Sequence, residues 1–252
     1  MHQDSYLRTT AGQLWDNLPQ VLLAGFVFSA LCLPTFFLFA WGLFIPAVAL
    51  AALSIAPAWA ALLAHEADIL RRGGARLCGL FAALPRLWAR SAAFGLLAAL
   101  PVLAALWTLP HLGSGKAPVA LWLGLAADWV GLLVFSALSV YVFPLFVLHD
   151  LGLRAALHNA LLLASRHLGN TLGLVGMAVL CALATGHLSS GLVFFWPATW
   201  GAFLLSNCRM VVDAELAAEG RATPGYEAPA ALPRTRRSPA CASREGAERY
   251  AN

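Results

Sequence analysis

Long apolar runs alternate with short polar segments along this chain, and the lengths of those runs set the expected elements. No charged residue falls in 21–64 or in 168–208, and shorter uncharged runs cover 91–115 and 129–149. A helix needs ~20 apolar residues to cross a bilayer, so each of the two longest runs has room for a helical hairpin. The pattern predicts six spans, at 21–42, 45–64, 91–109, 127–148, 169–187 and 191–210. The runs are continuously apolar, without the alternation of a transmembrane strand, which selects helices over a barrel. The expected fold is therefore an all-α polytopic bundle of about six transmembrane helices with cytoplasmic interfacial helices. The first run is much longer than the core of a cleavable signal and continues straight into a second span, so no signal peptide is expected.

The polar segments between the runs predict smaller features. In 65–90, "HEADILRRGGARLCGLFAALPRLWAR", two helical pieces are expected, broken at Gly73 and Gly74. Leu77, Leu80, Phe81, Leu84 and Trp88 recur there at helical spacing between arginines, the mark of an amphipathic helix lying in the headgroup region. A second amphipathic helix is expected over 150–167, with Asp150 as its N-cap. Leu153, Leu157, Ala160, Leu161 and Ala164 would form its apolar stripe, with Leu157 at the centre and Arg154, His158 and Arg166 pointing away. Prolines at 34, 57, 101, 144 and 197 lie inside five spans, where membrane helices tolerate them. Gly95 with Ala99, and Ala178 with Ala182, have the spacing that allows close helix approach.

Composition agrees with this class: 60% of residues are hydrophobic and only 11% charged, too apolar for a soluble domain of this length. Charge adds the orientation. With six spans, residues 1–20, the 65–90 and 149–168 connections and the 213–252 tail share one side, around a membrane domain at 21–212. All fifteen arginines fall on that side, counting Arg209 at the inner end of the last span, and the single lysine, Lys116, on the other. The Lys/Arg excess marks the cytoplasmic face, so both termini are expected inside the cytoplasmic membrane. The net charge of +4 needs no nucleic-acid partner, because arginines flanking spans meet the anionic inner leaflet. The tail is rich in Ala, Glu, Pro and Arg and is expected to continue the last helix and then lose order. The five cysteines form no CxxC pair, and no disulfide is expected in that compartment.

Candidate chemistry changes the picture little. His149, His158 and His167 stand nine residues apart, so at ~100° per residue successive ones point to opposite sides of a helix. His149 and His167 share a face but lie about 27 Å apart, and no metal site is expected. "GSGKA" at 113–117 has Pro110 and Ala117 where a phosphate-binding loop requires Gly and Ser/Thr. "GHLSSG" at 186–191 lacks the glycine-framed nucleophile pattern and reads as the turn of the last hairpin. No catalytic residue, metal or cofactor is expected. Asp128 is the one acidic residue within an apolar region as the spans are drawn, and such residues are functional candidates. If the fourth span begins at Trp129, however, Asp128 is an anchor at the outer interface, and this reading is favoured.

The segment "YVFPLFVLHDLGLRAALHNALLLASRHLGNTLGL" resembles the central signature of the YesL-type bacterial integral membrane proteins. "DNLPQVLLAGFVFSALCLP" and "APAWAALLAHEADILRRG" resemble that family's first two spans, and the likeness covers roughly 12–212. The first hairpin departs from it, reading "PTFFLFAWGLFIP" where the family often has a "T-x-G-P" turn. The resemblance implies a non-enzymatic accessory or regulatory component associated with an ATP-driven carbohydrate importer. Transporter subunits and the lipid bilayer are the expected partners. A small-solute carrier in its own right is the alternative. Functional candidates are then Asp128, with Asp150, Arg154, Asn159 (which opens "NALLLA") and Arg166 in the signature segment.

Overall fold

The structure is a computed structural model that describes residues 12, 14–112, 118–188 and 192–218. Its helices are α1 (Leu18–Ala40), α2 (Phe44–Arg72), α3 (Leu77–Leu112), α4 (Val119–Leu148), α5 (Leu153–Arg166), α6 (Leu168–Leu188) and α7 (Leu192–Ala218), and no strand occurs among the described residues. The molecule is an all-α polytopic bundle. Helices α1 to α4 are each long and apolar enough to cross a membrane, and the α5–α6 pair, bent by 100°, adds a fifth if it counts as one span. Helices α6 and α7 stand where the last two spans are expected. The 113–117 and 189–191 motifs and the tail beyond 218 lie outside the described residues.

Burial is inverted relative to a soluble protein. Phe26, Phe36, Phe37, Leu100, Val130 and Leu133 are exposed on the outer faces of their helices. A soluble monomer rarely tolerates apolar patches on that scale, but lipid solvates them. Trp41 at the end of α1, Trp107 near the end of α3 and Trp122 near the start of α4 are also exposed. Their positions suit the aromatic belt at a membrane interface.

Small residues set the packing of the core. The contact between α2 and α3 is the most extensive in the bundle. At its closest point, a Cβ on Gly95 would stand 2.7 Å from the Ala52 carbonyl oxygen and 2.9 Å from the Ala56 methyl. The expected close approach at Gly95 and Ala99 is thus present. Ala182 is instead exposed and Ala178 only half-buried, so the second small-residue pair makes no such contact. Pro34, Pro57, Pro101, Pro144 and Pro197 all lie inside unbroken helices.

The 65–90 connection differs from expectation. Helix α2 does not stop at Ala64 but runs to Arg72, because nothing before Gly73 opposes helix. Gly73 ends it in the left-handed conformation, φ 70°, and donates its N–H to the Ile69 carbonyl. The Ala75 N–H donates to Gln20 Oε1 at 2.9 Å, which ties this turn to the start of α1. The break at the glycines is as expected. The separate interfacial helix is not: 77–88 is the first part of α3, continuous with the third span. Its buried positions are Leu80 and Leu87, whereas Phe81 and Trp88 are exposed.

Helix α5 is separate and turns sharply into α6, yet its stripe is rotated from the expected one. Ala156, Ala160, Leu163 and Ala164 are buried, Leu157 is half-buried and Leu161 is 55% exposed. Sequence spacing favours the large leucines, but close packing on α4 selects the alanines. Leu163→Glu should therefore lower accumulation and thermal stability far more than Leu161→Glu, as measured by detergent-solubilised yield and melting. Equal losses would restore the leucine-centred stripe.

The chain forms two compact units, and the second begins at Arg209. Its described part continues α7 to Ala218 and carries an exposed i,i+4 ion pair, Arg209 to Asp213 at 4.0 Å.

Candidate functional site

Helix α4 ends at Leu148, and the four residues before α5 carry the most concentrated polar chemistry in the bundle. Arg90, projecting from α3, donates from one guanidinium nitrogen to the Leu151 carbonyl at 3.0 Å and from the other to the Asp150 carboxylate. Its guanidinium carbon also lies 5.6 Å from the centre of the Phe146 ring, within cation–π range. Arg71 of α2 reaches the Leu148 carbonyl at 3.5 Å. Two arginines from different helices thus hold the α4–α5 link, Arg71 at the last carbonyl of α4 and Arg90 at a carbonyl within the link. Charge patterning places these arginines in a headgroup-facing connection. The structure shows them as internal clamps, with the Arg90 side chain only 17% exposed.

Asp150 is not the expected N-cap. Gly152 occupies that position, and no side chain caps α5. Asp150 instead adopts φ 51°, the only non-glycine residue at positive φ among those described, and serves as the carboxylate partner of Arg90. Left-handed backbone costs a non-glycine residue roughly 1–2 kcal/mol, although aspartate is among the residues that tolerate it best.

The signature segment also forms a polar knot below this clamp. The buried Tyr141 hydroxyl lies 3.2 Å from Thr171 Oγ1, and Asn170 Nδ2 donates to the same hydroxyl at 3.3 Å. The Thr171 hydroxyl donates onward to the His167 carbonyl at 3.0 Å. Helix α4 is thereby locked to the start of α6 by hydrogen bonds that lipid is unable to replace.

The remaining candidates are dispersed. Arg154 and Arg166 are exposed at the two ends of α5, and Asn159 is half-buried between them. Asp128 is half-buried, ten residues into α4, and one carboxylate oxygen is buried without a partner. Because α4 begins at Val119 rather than 127, Asp128 lies about 14 Å along the helix from its start. Asp150 alone among the five belongs to the clamp.

Sequence reading misses Glu66 and His65. Both are buried, at 0% and 1% exposure, and neither has a hydrogen-bond partner on either polar atom. The uncharged run ends at Ala64, which puts both residues in a connection rather than in a helix. The available signal is the lack of a helix breaker before Gly73: carried through, the α2 pattern places Glu66 between Leu62 and Ile69 on one apolar stripe.

An open groove of about 510 Å³ lies among α2, α3 and α4, lined by residues such as Ile55, Phe94, Phe135 and Phe143, with Ser136 and Ser139 as its hydroxyls. It contains no charged residue and includes neither Glu66 nor Asp128. Among the described residues, no group of three or more His, Cys, Asp or Glu side chains is placed to hold a metal ion. No protein-family model, curated protein or solved structure matches this chain.

Proposed function

We propose that this protein is a non-enzymatic accessory or regulatory component of the bacterial cytoplasmic membrane, associated with an ATP-driven carbohydrate importer, with both termini inside. The motif resemblance to YesL-type proteins over 12–212 suggests the association, and the confinement of arginine to one side suggests the orientation. The observation that carries the reading is the mounting of α5. One side is packed through Ala156, Ala160 and Leu163, the turn leading into it is clamped by Arg90, and its other side exposes Arg154, His158 and Leu161. A helix held rigidly while presenting mixed basic and apolar residues fits a docking surface, since little ordering cost remains at binding.

The test is affinity purification from native membranes. Importer subunits should copurify with the wild type, and Arg154→Ala with Arg166→Ala should weaken that capture several-fold while the bundle accumulates normally. Capture of no importer subunit would remove the reading. Capture unchanged by the double variant would move the contact away from α5. The second reading, a small-solute carrier, is favoured by one observation: the bundle buries a carboxyl, Glu66, whose oxygens have no hydrogen-bond partner. Substrate flux in proteoliposomes containing this chain alone would select it.

A further inference from the structure

Glu66 is a fully buried carboxyl with no hydrogen-bond partner on either oxygen. It lies on α2 one turn from Leu62 and one turn from Ile69, and both of those residues belong to a core cluster with Val21 and Ala24 of α1, Leu80 of α3, and Ala198 and Ala202 of α7. Helix α7 closes the space opposite it: a Cβ on Gly201 would stand 3.9 Å from Glu66 Cγ and 3.0 Å from a Leu63 methyl. The Glu66 side chain thus lies against Gly201 of α7, next to an apolar core drawn from four helices, and both of its oxygens are buried without a partner.

An ionised carboxylate without a partner is among the most costly groups to bury, by several kcal/mol even after relaxation. A protein group that offset this charge would have to reach the carboxyl, and neither of its oxygens has a hydrogen-bond partner. On α2 itself, the neighbouring His65 is likewise buried, and neither of its ring nitrogens has a hydrogen-bond partner, so it does not bond the carboxyl. A metal cation needs several ligands in addition to one carboxylate, and among the described residues no group of three or more His, Cys, Asp or Glu is placed to supply them. The ligand that fits is the smallest one.

We propose that Glu66 is a proton-binding site of the bundle: the folded α2–α7 contact holds the neutral carboxylic acid, and release of its proton is coupled to loosening of that contact. The linkage is mechanical as well as electrostatic. An ionised Glu66 requires water, and the close α2–α7 approach at Gly201, where an added Cβ would stand 3.0 Å from a Leu63 methyl, would have to open to admit it.

Infrared spectroscopy of the purified full chain in lipid tests this directly, because a neutral carboxyl has a carbonyl stretching band separate from that of carboxylate. The wild type should show that band at neutral pH and lose it as the pH is raised while the protein remains helical. Glu66→Gln and Glu66→Leu should both lack the band. The leucine variant matches the surrounding hydrocarbon and is the one expected to fold if a buried amide is not tolerated. A wild type without the band at neutral pH would overturn the proposal, since Glu66 would then be ionised. A band that persists in both variants would assign it to another carboxyl, and a band unchanged up to alkaline unfolding would mean a proton that does not exchange. Either result would also overturn the proposal.

Discussion

Gly95→Ala should destabilise the bundle by about 2–3 kcal/mol, and Gly95→Leu by more, a range expected for overpacking a close contact. Two effects oppose each other. Alanine in place of glycine inside a helix gains about 1 kcal/mol of intrinsic propensity. The new methyl, however, would stand 2.7 Å from a backbone oxygen and 2.9 Å from the Ala56 methyl, and neither can move without shifting α2 itself. Displacing α2 from α3 disturbs the largest contact in the molecule, so the clash outweighs the propensity gain. Gly124→Ala on α4 is the control, since nothing lies within 4 Å of its Cβ. It should be neutral or slightly stabilising. Thermal unfolding in detergent reads both; a Gly95→Ala protein as stable as the Gly124→Ala protein would show that the α2–α3 approach is not fixed at this distance.

Arg90→Ala should cost about 3 kcal/mol, mostly through lost hydrogen bonding. The largest share is the charged hydrogen bond to the Leu151 carbonyl, a class that contributes roughly 1.5–3 kcal/mol. The Phe146 contact adds about 0.5–1 kcal/mol. The Asp150 pair adds at most about 1 kcal/mol, because that carboxylate is 69% exposed and screened by solvent. These shares act on one guanidinium and do not add fully. Asp150→Gly gives the contrasting result. It removes the weak pair but also relieves the positive φ of residue 150, two effects of about 1 kcal/mol with opposite sign, so stability should change little. Unfolding measurements that ranked Asp150→Gly as the more damaging change would make the ion pair, rather than the carbonyl bond, the basis of the clamp.

The elements legible in the amino-acid sequence are those dictated by solvent. A long run without charge has to be helical in lipid because its backbone has no other way to satisfy its polar groups. This is why α1, the C-terminal ends of α3 and α4 and the Gly73–Gly74 break can be placed within about three residues, and why α5 is recognisable as a separate piece between two apolar runs. Helix ends are less legible. Charge suggests that the second span ends at Ala64, whereas hydrogen bonding carries α2 on to the first residue that favours left-handed backbone, Gly73.

Facing and partnership are decided only in three dimensions. Sequence spacing identifies a stripe but not its partner, so on α5 Leu157 and Leu161 look central, whereas the residues that become buried are Ala156, Ala160, Leu163 and Ala164. In the same way Arg90 reads as one basic residue among several at a membrane surface. Its role depends on the Leu151 carbonyl and the Asp150 carboxylate, about sixty positions away in the link that follows α4. Glu66 follows the same rule with opposite sign. Beside Asp68 and two arginines it looks like part of a solvated connection, and it becomes a buried acid only because α1, α3 and α7 converge on the last turns of α2. Solvent preference acts residue by residue and can be read from the chain, whereas desolvation depends on which helices meet, and that information exists only in the packed bundle.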